Sequence, residues 1–340
     1  FSSDELFYLP NLAQISTNGM KQLLSVPASN QTFGLQAMTE EIHATFQIES
    51  IHSSRNSIRH ILNGYAPRNE EESRIYGMKR GLDFIADRQN TITEENLHQL
   101  YQISTGDYLP DEDRLLPDHF YRHDVVYVVG GEESREGLPA QQLPDAMKRL
   151  VDFANAKDGI NELHKAAILH FAFAYYHPYF DGNGRTARLL HLWYLVQQGY
   201  PAALFTPFSR YIAESKAAYY KAYDRIEKNA LISGYTDVTP FLSYFCNEVY
   251  NRLKVDVTPP QADLQVYQTA LAEGKITEKE RLLWEYVLSA YGTEEFTTKQ
   301  LEKDFRNAAY ATIRTFVMKF HEMGLLATRK AGNRIYYKVR

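Results

Sequence analysis

The sequence predicts a mainly α-helical fold with one small β-hairpin, followed by a smaller α+β unit at its C-terminal end. Two observations lead to this prediction. Apolar residues recur at helical spacing through most of the first 255 residues, and the one strong strand pattern there is a β-branched and aromatic run at residues 121–129. After residue 275, three helical patterns precede two short strand patterns. A chain of 340 residues has room for two or three domains.

The helical patterns of the first part are separated by short turn signals. Residues 1–34 mix Pro, Asn, Ser and Gly with scattered apolar residues, and we predict a loosely structured arm. A helical pattern then runs from Leu35 to about Ile61, and another helix begins at Thr93. The remaining predicted helices cover residues 69–88, 144–155, 161–176, 186–198, 209–228 and 237–254.

A different pattern follows Pro259-Pro260, which begins a predicted linker at residues 259–274. In residues 275–340 the order is helix, helix, helix, hairpin, with Gly332 in the turn of the hairpin, and this order resembles a winged-helix domain. The predicted helices are 278–291, a short one from 297, and 307–323; the predicted strands are 325–329 and 334–339. The core positions of the last helix are Ile313, Phe316, Val317 and Phe320.

Charge is unevenly distributed along the chain, whose net charge is −5. Residues 275–340 contain 13 Lys and Arg against 8 Asp and Glu, whereas the rest contains 24 against 34. The basic C-terminal unit favours an anionic partner. DNA or a protein is the partner expected for a winged helix, and a solvated basic face is the alternative. The candidate DNA contacts are Arg314, Lys319, Arg329, Lys330 and Arg334.

Cysteine usage and hydropathy narrow the class of protein. Cys246 is the only cysteine, so no intrachain disulfide can form, which fits a reducing cytoplasm. The longest apolar run, residues 166–176, contains His170 and is too short to span a bilayer, so we expect no membrane partner. The first residues lack the basic and apolar regions of a signal peptide. We therefore expect a cytoplasmic protein.

Residues 177–188 read His-Pro-Tyr-Phe-Asp-Gly-Asn-Gly-Arg-Thr-Ala-Arg and lie between two apolar helical patterns. Pro178 and Gly182 exclude one continuous helix through this stretch. Its glycines let backbone amides approach an anion, and the N-terminus of the next helix points to the same place. Arg185 and Arg188 oppose the dipole of that helix, a conflict that a bound anion would resolve. The stretch therefore predicts a loop that binds phosphates.

The same stretch contains a carboxylate and an imidazole. Asp181 beside phosphate-binding groups is a natural Mg²⁺ ligand, and His177 can act as a general base near neutral pH. A lone histidine is more often packed or exposed than catalytic, and Asp-Gly-Asn-Gly alone is usually a turn. The coincidence of all these residues within twelve positions favours a functional site.

This stretch resembles the signature of the Fic (Fido) family, His-Pro-Phe-x-Asp/Glu-Gly-Asn-Gly-Arg-x-x-Arg, and departs from it at Tyr179, where the family has Phe. The resemblance extends over most of residues 35–255, including Tyr121-Arg122, and implies a Fic-type helical domain at residues 35–258. It also implies an ATP-using, Mg²⁺-dependent enzyme that transfers AMP to a Tyr, Thr or Ser hydroxyl of an unknown target protein. Some relatives transfer other phosphate-containing groups, and homodimers are common among them.

The resemblance assigns a role to each matching residue of the loop. His177 would deprotonate the incoming hydroxyl, and Asp181 would hold Mg²⁺ on the α- and β-phosphates. Arg185 would stabilise the phosphates in the transition state, and Arg188 would hold the γ-phosphate. The anion hole would be formed by Gly182, Asn183 and Gly184.

The resemblance also implies contacts outside the loop. Tyr219 and Tyr220 would line the adenine side, although core packing is an equal alternative for them. The hairpin near residues 122–131 would be a flap that docks the target segment as an added strand. The flap residues proposed for this contact are Arg122, Val125 and Tyr127.

Residues 45–50 read Thr-Phe-Gln-Ile-Glu-Ser and resemble the family's autoinhibitory motif, Ser/Thr-x-x-x-Glu-Gly/Asn, except at Ser50. The resemblance implies an inhibitory helix at about 40–60, in which Thr45 and Glu49 take part. Glu49 would pair with Arg188 and block the productive γ-phosphate pose. The alternative is an ordinary exposed helical glutamate.

Two functions therefore remain open at the level of sequence. The first is a protein adenylyltransferase with a C-terminal winged helix. The second is a winged-helix DNA-binding regulator with a Fic-like nucleotide-sensing domain. The loop favours the enzyme, because a nucleotide-binding platform would not need His177.

Overall fold

The computed structural model describes residues 34–128, 135–253, 261–291 and 295–340. Contacts within the chain divide it into two compact units. Among the described residues, the first unit contains 40–253, and the second contains 34–39 together with the residues from 261 onward. Of the predicted N-terminal arm, only Gly34 lies within the described residues, and it begins a helix.

Two helices stand where the sequence predicted one helical stretch from Leu35 to about Ile61. Helix α1 spans Gly34–Ile48 and α2 spans Arg55–Leu62. The break between them follows from the backbone of Ser50, whose φ of 60° is left-handed and cannot continue a right-handed helix. The N-cap of α2 is Ser54, whose side chain accepts a hydrogen bond from the Ser57 amide.

The next two helices begin at strong N-caps. Helix α3 spans Glu70–Ala86 and α4 spans Glu94–Ser104. The side chains of Asn69 and Thr93 accept hydrogen bonds from the third residue of the helix that each precedes. Both helices agree closely with the sequence prediction.

Within the described residues, the strand predicted at 121–129 begins only at Tyr127. Strand β1 is Tyr127–Val128 and β2 is Arg135–Glu136; they pair antiparallel, with Tyr127 opposite Glu136. The preceding residues do not form a strand, because the amide of Arg122 donates to the Pro178 carbonyl, at 2.9 Å, rather than to a strand. The turn of the hairpin lies outside the described residues.

A central helix pair carries the loop of residues 177–182. Helix α5 spans Leu143–Asn155, α6 spans Glu162–Tyr176 and α7 spans Asn183–Gln197. Helices α6 and α7 pack against each other and are buried over most of their length, as the all-round apolar pattern of α6 predicted. Helix α7 begins three residues earlier than predicted, because Gly182 adopts a left-handed φ of 77° and serves as its N-cap.

The first unit ends with α8 (Phe208–Glu214), α9 (Lys216–Ser233), α10 (Thr239–Tyr244) and a π-helical turn, Phe245–Val249. The sequence had predicted one helix at 209–228, which the structure divides at Ser215. Aromatic rings of these helices surround His170 of α6, and Cys246 is buried beside them. Among the described residues no helix is both long and apolar enough to cross a membrane.

The second unit contains α11 (Gln261–Ala272), α12 (Glu278–Ala290), α13 (Thr298–Phe305), α14 (Tyr310–Glu322), β3 (Leu326–Ala331) and β4 (Arg334–Val339). Helix α11 occupies most of the linker predicted at residues 259–274, so that prediction was wrong in part. Prolines often end one element, but they are also tolerated just before the first turn of a helix. Strands β3 and β4 form an antiparallel hairpin closed at Ala331 and Arg334. The four predicted core positions of α14 are all buried.

Candidate functional site

A cleft of about 740 Å³ in the first unit contains every residue of the loop to which the sequence assigned a polar role. It lies where the loop before α7, the end of α1, the start of α9 and strand β1 meet. Its volume falls within the range typical of small-molecule sites. The loop residues that line it are His177, Asp181, Gly182, Asn183, Gly184, Arg185 and Arg188.

His177 ends α6 in a left-handed conformation, with φ 55° and ψ 60°. Its Nδ1 lies 3.3 Å from the Ala174 carbonyl oxygen. Because a carbonyl can only accept, Nδ1 carries the proton and Nε2 keeps its lone pair. Burial lowers the pKa of His177 to about 4, and the charges of Arg135 and Arg122 act in the same direction. The imidazole is therefore neutral at pH 7 and can accept a proton.

The Asn183 side chain closes the loop on itself. Its Oδ1 accepts from the Tyr179 amide at 2.9 Å, and its Nδ2 donates to the Tyr179 carbonyl at 2.7 Å. The Tyr179 ring is buried and stacks on Tyr101, with ring centroids 3.6 Å apart. Tyr179 therefore occupies a core position, which suits the Phe of the family signature equally well. The oxygen and the nitrogen of the Asn183 side-chain amide are both used to hold the loop. A bound anion would therefore meet the backbone amide of Asn183 rather than its side chain.

Two glycines of the loop occupy positions where a side chain does not fit. At Gly182, φ is +77° and an added Cβ would lie 2.4 Å from Cγ2 of buried Thr105. At Gly184, an added Cβ would lie 2.7 Å from Oε1 of Glu49 and 3.1 Å from Nη1 of Arg188. The glycines therefore allow the close approach of the loop to its neighbours.

We expect Gly182→Ala to destabilise the protein more than Gly199→Ala does. Both glycines have left-handed φ angles, +77° and +90°, but Gly199 has no atom within 4 Å of an added Cβ. The control variant should cost only the left-handed backbone term, about 1–2 kcal/mol. Gly182→Ala should cost about 1–3 kcal/mol more, because Thr105 must move. Thermal unfolding of both variants checks this, and equal Tm values would contradict the steric account.

Glu49 joins both arginines of α7. Its Oε2 accepts from Nε of Arg185 at 2.8 Å, and its Oε1 accepts from Nη2 of Arg188. Each arginine side chain is only 3% exposed. Burial alone would lower the pKa of Arg185, but the charges of Glu49 and Asp181 outweigh it and raise that pKa. The Glu49 carboxylate is thus held where an anion would meet both guanidinium groups.

A directed chain of hydrogen bonds leads from Arg188 back to α1. Nε of Arg188 donates to Thr45 Oγ1 at 3.2 Å, and Thr45 Oγ1 donates to Ser209 Oγ at 3.0 Å. Ser209 in turn donates through Oγ and its amide to the Glu41 carboxylate, at 2.5 and 2.8 Å. Burial raises the pKa of Glu41, and the Ser209 hydrogen bonds oppose this shift. The chain fixes the segment that carries Glu49 against α8 and α7.

Asp181 is the loop residue most suited to a divalent cation. Its side chain is 52% exposed, and Oδ2 accepts from Nη2 of Arg185 at 2.8 Å. Mg²⁺ in nucleotide sites usually takes one or two carboxylates together with phosphate oxygens and water. A half-exposed carboxylate that lines the cleft beside the N-terminus of α7 fits this donor set.

The two tyrosines assigned to the adenine side differ in their surroundings. Both line the cleft, but Tyr219 is buried and its hydroxyl lies 3.0 Å from Nε2 of His170. Tyr220 is half-buried and packs edge-on against Tyr219. Tyr219 therefore combines core packing with a face on the cleft, and Tyr220 presents more of its ring to it.

The flap residues are not equivalent. Val125 and Tyr127 are 55% and 65% exposed, as a docking surface requires. Arg122 is only 2% exposed, and its guanidinium donates to main-chain carbonyls. Its assignment as a target contact is therefore wrong, since the side chain is turned into the protein and occupied there.

The basic residues of the second unit also divide into two groups. Nζ of Lys319 lies 2.8 Å from the Glu280 carboxylate, and the Arg329 guanidinium pairs with Glu295. These two cations are compensated within the unit, which reduces their value as phosphate contacts. The other three candidates are exposed on α14 and the hairpin: Arg314, Lys330 and Arg334.

Several residues of the site had no signal in the sequence. Glu41 and Ser209 are 168 positions apart; Ser209 lies in the stretch Ser209-Arg210-Tyr211-Ile212, which resembles the family's pattern, but nothing in the sequence indicated its contact with Glu41. The contact of Glu49 with Arg185 was also missed, because the resemblance paired Glu49 with Arg188 alone. The left-handed backbone of Ser50 does have a signal, since the family motif has Gly or Asn there, the two residues most tolerant of that conformation.

Comparison with known proteins gives a family match that includes the loop of residues 177–188. Residues 91–195 match the model of the Fic/DOC family. The chain is 30% identical over 181 residues to "Protein adenylyltransferase fic-1" of Caenorhabditis elegans, covering 51% of this chain and 31% of the relative. It is 25% identical over 207 residues to "Protein adenylyltransferase Fic" of Culex quinquefasciatus, covering 59% and 35%. The chain thus spans less than two thirds of the length of these curated relatives.

The solved structures add the fold. A Fic family protein from Desulfovibrio desulfuricans G20 superimposes with a TM-score of 0.60 at 16% identity, over 97% of this chain and 95% of that one. Fic-1 from C. elegans superimposes with a TM-score of 0.53 at 20% identity, over 78% and 73%. At these identities the likeness concerns the fold alone.

Proposed function

Because residues 91–195 match the Fic/DOC family model, we propose that this chain transfers the AMP part of ATP to a hydroxyl side chain of another protein. One observation carries the proposal above the others. A neutral His177 stands beside a helix N-terminus whose two buried arginines already hold a carboxylate, that of Glu49. Such a site presents a base and an anion-binding group to the same cleft. The relatives named protein adenylyltransferases support the same reaction.

The proposed reaction follows from the positions of these groups. Nε2 of His177 takes the proton of the target hydroxyl, and the oxygen forms a bond to the α-phosphorus of ATP. The bond from that phosphorus to the bridging oxygen breaks, and pyrophosphate leaves. Arg185 and the amides at the start of α7 stabilise the charge that develops on the phosphate oxygens. Mg²⁺, held by Asp181 and the phosphates, would neutralise further charge there.

The same contacts support autoinhibition as part of the proposal. Glu49 occupies Arg188 and Arg185 together, so the γ-phosphate and the Glu49 carboxylate compete for the same donors. The hydrogen-bond chain through Thr45 holds the inhibitory segment in this position. The protein in the state described is therefore switched off until Glu49 moves.

The experiment that tests the proposed activity starts from a cell lysate. The Glu49→Gly variant is incubated with the lysate, Mg²⁺ and ATP labelled on its α-phosphate, and labelled proteins are identified by mass spectrometry. We expect one added AMP group on a Tyr, Thr or Ser side chain, and no label after Mg²⁺ is chelated. Label that appears only on lysine or carboxylate side chains would contradict the proposed acceptor.

The pH dependence of AMP transfer should reflect the lowered pKa of His177, about 4. A protonated imidazole cannot accept a proton, so activity is lost only as the pH falls towards that value. We expect kcat/KM of the Glu49→Gly variant to show no acidic loss centred near the usual histidine pKa of about 6.5. Circular dichroism at each pH serves as the control for folding. A loss centred near 6.5 in folded protein would contradict the geometry assigned to His177.

A second candidate function, nucleic-acid binding by the C-terminal unit, is favoured by three exposed basic residues. Arg314, Lys330 and Arg334 lie on α14 and the hairpin, the elements by which a winged helix meets DNA. We propose DNA as the partner, with a protein as the alternative outcome. We also propose that the protein works in a reducing compartment such as the cytoplasm, because Cys246 is its only cysteine. We propose homodimer formation from the family resemblance.

If DNA is the partner, the full chain should shift duplex DNA in a salt-dependent gel assay. Changing Arg314, Lys330 and Arg334 to Gln should weaken binding and lower the salt slope by about one per lost phosphate contact. The matched control removes three exposed charges from the first unit, at Lys148, Arg149 and Lys157. An equal loss of binding in the control, or no binding by the wild-type chain, would contradict the proposal.

A further inference from the structure

The Arg122 guanidinium uses all three of its nitrogens on main-chain carbonyls. Nε donates to the His177 carbonyl at 2.7 Å, and Nη1 donates to the Asp124 carbonyl at 2.5 Å. Nη2 donates to the Leu138 carbonyl. The Arg122 amide adds a fourth bond, to Pro178, at 2.9 Å. Arg122 thus joins the main chain of His177 and Pro178 to the segments on both sides of the flap, at Asp124 and Leu138.

The position of His177 needs such support. A non-glycine residue with φ 55° lies in a sparsely populated region and stays there only when its surroundings hold it. The Arg122–carbonyl bond fixes the peptide group that follows His177 and therefore holds its ψ angle of 60°. The added Cβ distances at Gly137 show how tightly the region is packed, with Nη2 of Arg122 at 2.7 Å and Cβ of His177 at 3.4 Å.

We infer that Arg122 is a positioning residue, which holds the imidazole of His177 and the flap strand in one fixed geometry. The inference rests on the proposed function, since it assigns the positioning to the base of AMP transfer. Arg122 itself touches neither nucleotide nor target. Its planar fork matters, because a guanidinium directs donors from three separate nitrogens in one fixed plane, whereas an ammonium group presents all its donors from a single nitrogen.

A merely structural arginine provides the matched comparison. Arg59 in α2 is also buried, at 7% exposure, and it lies outside the cleft lining. The change Arg59→Lys should lower stability without acting on His177. The change Arg122→Lys keeps the charge but loses the fork, and Arg122→Gln removes both.

The test compares these variants in the full chain with Glu49→Gly, and it has three readouts. The Kd of ATP from calorimetry should stay within about twofold, because Arg122 does not line the cleft. The kcat of AMP transfer, measured below the Tm of every variant, should fall by about 100-fold for Arg122→Lys and Arg122→Gln, the loss expected for a small misplacement of a reacting group. Arg59→Lys should keep its kcat.

The third readout does not depend on activity. Titration of the His177 imidazole by NMR should show a higher pKa in Arg122→Lys, because that variant keeps the neighbouring positive charge and loses only the hydrogen bonds that hold the ring in its buried site. If no variant transfers AMP, this titration still decides the inference. An unchanged His177 titration, or a kcat that falls equally in Arg59→Lys, would overturn it.

Discussion

Replacing Glu49 with glycine should raise AMP incorporation by about 5- to 150-fold, the range of typical coupling between two sites. The reason is that one carboxylate occupies both buried arginines of α7. Without it, Arg185 and Arg188 can turn to the phosphates of ATP. Incorporation of label from α-labelled ATP measures the change. Glu49→Gln tests the same point with the side-chain shape kept, and should also activate.

The control for this variant lies on α1, the helix that ends just before Glu49. Glu40 pairs with Arg55 at 2.7 Å and is absent from the cleft lining, so Glu40→Gln should leave the activity unchanged. Loss of Glu49 leaves Arg188 buried without a carboxylate, which should lower the Tm, and bound ATP should restore it. A folded Glu49→Gly protein with wild-type incorporation would contradict autoinhibition.

Replacing His177 with alanine in the Glu49→Gly protein should reduce AMP transfer by about 10²–10⁴-fold, the usual contribution of a general base. No other group is assigned the target proton, and the lowered pKa of His177 keeps this imidazole neutral at pH 7. ATP binding should persist, since the phosphate contacts belong to the loop amides and the arginines. Single-turnover labelling and calorimetry separate the two effects.

An exposed histidine that lies outside the cleft lining serves as the control. His119 is exposed and does not line the cleft, so His119→Ala should keep full activity. If His177→Ala transfers AMP as fast as its parent, the base lies elsewhere and the assignment of the site is wrong.

The fold was largely readable from the sequence, for identifiable reasons. The apolar pattern of α6 and the helix starts predicted at residues 69, 93 and 161 depend on local chemistry, and the structure has side-chain N-caps at those three positions. The sequence did not predict the helix ends that depend on the backbone conformation of a single residue. The left-handed residues Ser50 and Gly182 moved two helix boundaries, and propensity alone gave no signal for the first.

The site was readable where its residues are adjacent in sequence. The loop of residues 177–188 concentrates them in twelve positions, and the structure brings the seven loop residues with an assigned role to one cleft. What required the structure was the pairing of distant residues. The sequence predicted Arg122 as a docking residue, but its side chain is buried and bonded to main-chain carbonyls. Ion pairs with Glu280 and Glu295 compensate Lys319 and Arg329, which the sequence had offered as DNA contacts. Such pairing depends on which surfaces fold together, which residue type does not encode.

The measurement that tests the central claim most directly compares ATP labelled on the α-phosphate with ATP labelled on the γ-phosphate. Wild type, Glu49→Gly and Glu49→Gly/His177→Ala are incubated with lysate and Mg²⁺ side by side. We predict protein-bound label from the α position only, strong in Glu49→Gly, weak in wild type and lost without His177. Transfer of the γ label, or α label that persists without His177, would contradict nucleotidyl transfer by this site.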